Sequence, residues 1–416
     1  MTNPSVSTIL EDLAAAGKAY NQAEPGSREA LIDRSRALVA ALEMPSEFIQ
    51  RSFWAEPAMS AVIRIAVDVQ LFQLLRDAGE AGLSPSELAD KTGVEVVLLQ
   101  RLTRHLVAMY LISFHDGAFH GTALSDQLAA DNYQDSISFC YDTARPSFNN
   151  FPAFFQNTHY RSPTVGSLDG PFQRAHHTAL HFFDWLVANP PNLPHFDSFM
   201  SAYRAGKPNW CDPGFYPVAD RLIAGFEPSS SSSDASDADD AEGVLLVDVG
   251  GGRGHDVTIF TQQYPTHPGR VILQDREPVI AALAPATTTT TSPKPTFTAQ
   301  AHDFFTPQPI AGARAYFLHS ILHDWDDERG VQILRNLVPA LRRGYSRVLL
   351  NEIVVSEERP TLAATSMDLM MLAHFAVRER TEREWRAILL RAGLRVVEIY
   401  TYPGVAESLI EAELVA

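Results

Sequence analysis

Val244-Leu245-Leu246-Val247-Asp248-Val249-Gly250-Gly251-Gly252-Arg253-Gly254 carries a short, β-branched apolar run straight into a glycine cluster. Glycines between a strand and a helix let the backbone turn sharply and come close to a ligand. The dinucleotide fingerprint needs glycines at its first, third and sixth positions. Counted from Gly250, the sixth position is His255, so that fingerprint fails. What stands here is Gly250-x-Gly252-x-Gly254, a tighter turn with no pyrophosphate to seat. A second apolar run, 270–274, ends at Gln274-Asp275, and Asp275 lies 21 residues beyond Gly254. An acidic side chain at that strand end is placed to accept both hydroxyls of a ribose; the bland alternative is a solvated loop carboxylate. Turn and carboxylate together predict a nucleoside cofactor. Asp303-Phe304, ahead of the next strand, could clasp an adenine by hydrogen bond and ring contact.

Outward from this turn the chain alternates. Apolar runs at 244–249, 270–274, 314–318 and 347–355 have the length of buried parallel strands, and helical patterns at 255–263, 328–341 and 382–392 separate or follow them. That rhythm predicts a doubly wound, Rossmann-like α/β sheet. Beyond the run 314–318 stands Leu322-His323-Asp324-Trp325-Asp326-Asp327, whose Asp326 or Asp327 could cap the following helix. His323 therefore sits past the carboxyl end of a parallel strand, where open α/β sheets bind their ligands. A loop histidine bonded to a turn would occupy the same place. Glu352, at the end of the adjacent strand, shifts the balance, because a carboxylate near an imidazole holds its tautomer and favours its protonated state. Glu379, ahead of the helix starting near Glu382, is a second candidate orienter, although acids at helix starts need no catalytic reason.

The first half is mostly helical. Residues 58–78 place Ile63, Ala66, Val67, Leu71, Leu74 and Leu75 at helical spacing. Ser84-Pro85-Ser86-Glu87 opens a short capped helix, 95–109 forms another, and 110–123 alternate around Asp116-Gly117 as a hairpin. Helix, turn, helix and hairpin outline a winged helix. The 416 residues carry 33 basic and 50 acidic side chains, a net charge of −17, which argues against nucleic acid as a partner and for a packing or dimerisation role. The apolar helix 58–78 exceeds what one small domain can bury, which predicts a homodimer. Two cysteines, Cys140 and Cys211, exclude a disulfide framework. No secretory signal or membrane span is expected, so the expected location is cytoplasmic. No Cys/His pair has metal-site spacing, and no metal is expected. Polar tracts at 228–242 and 285–295 read as surface insertions.

Together these motifs resemble the class I S-adenosylmethionine-dependent O-methyltransferases of plant caffeate and fungal polyketide type, over roughly residues 58–411. The matching residues are Leu246–Gly254, Asp275, Asp303-Phe304, His323-Asp324-Trp325, Glu352 and Glu379-Arg380-Thr381. The resemblance implies a winged-helix dimerisation domain before the catalytic domain. It implies S-adenosyl-L-methionine held by Asp248, Gly250, Gly252, Gly254, Asp275, Asp303, Phe304 and His319. It also implies His323 as general base, flanked by Glu352 and Glu379, with Asp324 beside it. Residues 139–216 look like the fungal branch, with Phe139, Tyr141, Phe183, Trp185 and Met200 as candidates for an aromatic acceptor pocket, although most could equally be core. His319 stands where plant members often carry lysine, which puts one cofactor contact in doubt. The expected division is 1–50 helical, 51–135 winged-helix dimerisation, 136–227 helical linker and pocket, and 228–416 catalytic. The expected substrate is a small aromatic hydroxyl compound. A relative that binds the same cofactor but dehydrates or rearranges its substrate is the alternative, and a winged-helix regulator is disfavoured by charge.

Overall fold

The structure, a computed structural model, describes residues 4–228, 243–283 and 297–415. Apart from Pro228, both polar tracts lie outside the described residues. The chain forms two compact units that meet in sequence between Gly206 and Lys207.

The first unit contains the winged-helix outline. Its opening helix is two helices, Glu56–Asp68 and Leu71–Ala78, because Gln70 adopts a left-handed conformation (φ 55°) and breaks the run expected over 58–78. The break changes the burial argument. Val62 and Ala66 on one helix, and Leu71, Phe72 and Leu75 on the other, bury in a single core with Leu88, Leu99, Leu106 and Phe119. Helix Pro85–Thr92 starts on a capping box: Ser84 N–H donates to Glu87 Oε2 at 2.9 Å, and Glu87 N–H donates to Ser84 Oγ at 3.3 Å. Gly93, at φ 69°, ends it. Helix Val96–Ala108 is capped by Glu95, which accepts from Val97 and Leu98 N–H. Strands β1 (Ser113–His115) and β2 (Ala118–His120) then pair across Asp116-Gly117, both at positive φ, as a tight two-residue hairpin requires.

The second unit is an α/β sheet. Its strands are β3 (Val244–Val249), β4 (Arg270–Asp275), β5 (Thr298–Ala301), β6 (Ala315–His319), β7 (Arg347–Val355), the two-residue β8 (Arg380–Thr381), β9 (Leu394–Thr401) and β10 (Glu407–Leu414). The order is β5-β4-β3-β6-β7-β10-β9, with β8 paired to the end of β7. Strands β3 to β7 are parallel, and β10 runs antiparallel to both β7 and β9, so the sheet is mixed. Successive side chains on a strand face opposite ways. Val247, Leu318 and Leu350 pack with Leu334, Leu337, Trp385 and Ile388 from helices Asp327–Leu337 and Glu382–Arg391. Leu246, Phe317 and Leu349 pack on the other face with Trp210, Tyr216, Leu222 and Phe260. Each such fully buried apolar side chain stabilises the fold by about 1.5–3 kcal/mol, and the two cores hold the carboxyl ends of β3, β4, β6 and β7 in fixed register. Among the described residues no single helix is long and apolar enough to cross a membrane.

Candidate active site

β6 ends at His319, Ser320 turns at φ 51°, and a 3₁₀ turn over Leu322–Asp324 presents His323 before Asp326 caps helix Asp327–Leu337. The cap is a bond from Arg329 N–H to Asp326 Oδ1 at 2.8 Å. Glu352, buried on β7, holds this turn from beneath: its Oε1 accepts from Ile321 N–H at 3.0 Å and Leu322 N–H at 2.8 Å. Glu379 reaches the ring itself. Pairing of Val354 with Arg380 places β8 against the end of β7, and Glu379, one residue earlier, puts Oε1 2.9 Å from His323 Nδ1. Glu379 N–H is in turn fixed by Asp368 Oδ1 at 2.8 Å. Asp324 Oδ1 lies 3.6 Å from Nε2 of the same ring. The two glutamates thus divide the orienting task that the sequence assigned first to Glu352: one holds the loop backbone, the other the imidazole.

Three acids around one imidazole change its chemistry. Burial opposes the charged ring, yet the Glu379 hydrogen bond and the charges of Asp324, Glu352 and Glu379 outweigh it, and His323 is pushed up to about 10. Burial, with the Glu379 charge added, pushes the Glu352 carboxyl up to about 7, although His323, the Leu322 N–H and Arg380 pull the other way. One oxygen of each glutamate is buried without a hydrogen-bond partner. Ligating atoms of His323, Glu352 and Glu379 all lie within 4.8 Å of one another, a spacing that a cation could span, but the ring's Nδ1 is already committed to Glu379.

The glycine turn lies beside this loop. Gly250, Gly252 and Gly254 all have positive φ, between 58° and 79°. A Cβ on Gly250 would stand 2.6 Å from Ile321 Cδ1 and 3.6 Å from Phe304 Cε1, so the turn that carries His323 and the Phe304 ring both pack on it. A Cβ on Gly252 would meet nothing within 4 Å, which leaves open space over the middle of the turn. Asp275 Oδ2 accepts from Gly252 N–H at 2.8 Å, and its Oδ1 accepts from Arg276 N–H at 2.7 Å. Asp248 lies fully buried under the turn with neither carboxylate oxygen hydrogen-bonded, and burial together with the charges of Asp256 and Asp275 holds it well above the usual carboxylate range. Asp303 is exposed, and its Oδ1 accepts from Phe305 N–H at 2.9 Å. His319 Nδ1 pairs with Asp256 Oδ2 at 2.7 Å. An open glycine turn, an acidic strand end and an unsatisfied buried carboxylate suit a cationic nucleoside.

Asp256, Asp368 and Arg380 were not assigned roles from sequence. Asp256 sits in a helical first turn and Asp368 on a helix face, positions common for any acid. Arg380 stood inside the matched motif without a stated role.

A model of the O-methyltransferase domain matches residues 237–395, and one of the O-methyltransferase dimerisation domain matches residues 55–131. The chain is 59% identical to O-methyltransferase mpaG' of Penicillium brevicompactum, over all of both chains. A solved structure of LepI in complex with SAM is 28% identical with a TM-score of 0.83, covering 98% of this chain and 99% of that one. Another, described as a pericyclic reaction enzyme, is 28% identical with a TM-score of 0.82, covering 99% of this chain and 100% of that one.

Proposed function

The chain belongs to the S-adenosylmethionine-dependent O-methyltransferases, and we propose that its acceptor is a phenolic hydroxyl of a small aromatic or polyketide secondary metabolite, with His323 as general base. The observation that carries this reading is the 2.9 Å pair between His323 Nδ1 and Glu379, on a turn packed directly against Gly250. Glu379 Oε1, facing Nδ1, keeps the proton on that nitrogen and leaves the Nε2 lone pair to receive the acceptor's proton.

The donor, when bound, supplies an electrophilic methyl group. Asp248, Gly250, Gly252, Gly254, Asp275, Asp303, Phe304 and His319 are the residues proposed to hold it, with Asp275 toward the ribose hydroxyls. Holding two reactants in line removes about 7–11 kcal/mol of barrier, and a positioned base adds roughly 10²–10⁴-fold. A phenol has a pKa of about 10, and the acids around His323 raise its ring toward that range, which strengthens it as a proton acceptor. A cation joining the site offsets part of the negative charge that raised the imidazole. Its value then falls, and the neutral, active form becomes more populated at physiological pH.

The proposed division of the chain is that expected from sequence, with a homodimer formed through the winged-helix module, a cytoplasmic location and no metal in the reaction. The family model at 55–131 supports the dimer more firmly than the apolar pattern of 58–78, most of which packs in one core while Ile65 stays exposed. The likeness to a pericyclic enzyme keeps a non-methylating reading as the second. Labelled S-adenosylmethionine with a panel of phenolic polyketides decides between them. Label should appear on a phenolic oxygen, and His323→Ala should lower its transfer at least about a hundredfold. Donor-dependent conversion of a substrate without label transfer would establish the second reading.

A further inference from the structure

Arg380 is a fully buried cation beside the base turn. Its Nη1 donates to the Leu322 carbonyl at 2.8 Å and its Nη2 to the Trp325 carbonyl at 2.6 Å, so the guanidinium grips the backbone on both sides of His323. Its Nε donates to Asp327 Oδ1 at 2.9 Å, at the start of the helix that follows. The guanidinium carbon lies 5.1 Å from the centroid of the Trp385 ring, whose Nε1–H donates to the Ile353 carbonyl at 2.9 Å, next to Glu352 on β7. The fork is thereby fixed by a charge, a ring and two carbonyls, a set of contacts that only a planar guanidinium satisfies at once. Glu352 binds the N–H groups entering the turn, at Ile321 and Leu322, and Arg380 binds carbonyls within and leaving it.

We propose that Arg380 is a positioning residue for the reaction: with Glu352 it clamps the turn 321–325 from opposite sides, and so sets where the His323 ring stands relative to Glu379 and the glycine turn. The proposal rests on His323 being the base. Glu379 immediately precedes Arg380, so one short segment orients the ring through its carboxylate and the ring's backbone through its guanidinium. A misplacement of the base by about 1 Å can cost on the order of a hundredfold in rate.

The test compares Arg380→Lys, Arg380→Met and His323→Ala in the full chain, by steady-state methyl transfer to an accepted phenol and by calorimetric binding of S-adenosylhomocysteine. Arg380→Met should lower kcat about 10–100-fold, with product affinity and acceptor KM changed less than about threefold. Arg380→Lys, which keeps the charge and loses the fork, should recover part of that loss. If Arg380→Met does not fold, Asp327→Asn replaces it, with a smaller fall in kcat at unchanged product affinity expected. Wild-type kcat in the Arg380 variants, or a fall in kcat matched by an equal loss of product affinity, overturns the proposal. His323→Ala separates the two layers: if it alone transfers methyl at the wild-type rate, the base assignment has failed, whereas a dead His323→Ala beside a fully active Arg380→Met removes the clamp only.

Discussion

In Glu379→Gln the carboxylate facing His323 Nδ1 becomes a neutral amide of nearly the same shape. The wild-type ring is pushed up to about 10 by the Glu379 hydrogen bond and the charges of Asp324, Glu352 and Glu379, against the opposing effect of burial. An opposite charge this close is worth about 1–3 pH units of a group's midpoint. With the neutral imidazole as the proposed active form, kcat/KM in the wild type should rise with pH through a midpoint above that of a free histidine. In Glu379→Gln the midpoint should fall by about 1–3 pH units, so more of the enzyme holds a neutral ring at pH 7.5. The plateau should nevertheless drop about a hundredfold or more, since the amide can donate to Nδ1 and leave the proton on Nε2. The assay is label transfer from S-adenosylmethionine between pH 6 and 11, fitted for midpoint and plateau separately. A lowered plateau with an unmoved midpoint would refute the view that Glu379 sets the ring's charge.

Asp275→Ala removes the acceptor for Gly252 and Arg276 N–H and the proposed ribose contact; hydrogen bonds to a charged group are worth about 1.5–3 kcal/mol, so calorimetry should show donor affinity down roughly 10–100-fold. Gly250→Ala forces a side chain onto φ 79° and against Ile321, at a cost of about 1–2 kcal/mol for the backbone alone, and should lower Tm, donor affinity and turnover together. His323 also predicts a stability profile: its folded value is raised, so its contribution is complete below the unfolded value of about 6.5 and is lost as pH climbs toward about 10. His323→Ala should flatten that fall in Tm between pH 7 and 10, by scanning calorimetry.

In the parallel half of the sheet β3, β4, β6 and β7 were legible because they are nearly pure apolar runs ending in turns, whereas β5, Thr298-Ala299-Gln300-Ala301, was missed for want of one; the helix 255–263 has the bounds the pattern gave it. The far edge was not. β10 reads Glu407-Ser408-Leu409-Ile410-Glu411-Ala412-Glu413-Leu414, and its acids disguise a buried strand. Glu411 is fully buried only because Arg221 and Arg347 meet it at 2.6 and 2.9 Å, partners 190 and 64 residues away that no local pattern connects. The helix 58–78 failed for the opposite reason: its periodicity is real on both sides of Gln70, and a left-handed residue that is not glycine leaves no mark in composition. At the site, strand ends located His323 and Glu352 and a helix start marked Glu379, but the two-residue strand β8 that seats Arg380 beside β7 is too short to have a period.

The same geometry bears on the choice between methyl transfer and rearrangement. Burying carboxylates beside an imidazole is costly, because each loses its hydration and one oxygen of both Glu352 and Glu379 gains no hydrogen bond in return. A pocket that only holds a substrate in a reactive shape needs contour and a few neutral donors. A rearrangement alone has no use for a carboxylate that fixes which ring nitrogen carries the proton, whereas dehydration, like methyl transfer, would use such an imidazole. On the proposed function those features act on one event, the removal of a proton from a weakly acidic hydroxyl. Their position on a turn that packs against Gly250 places that event at the edge of the glycine turn, where the open space over Gly252 lies. The turn 321–325 and the glycine turn therefore meet where Ile321 packs on Gly250, and a substitution that shifts the turn 321–325 should disturb turnover before it disturbs the fold.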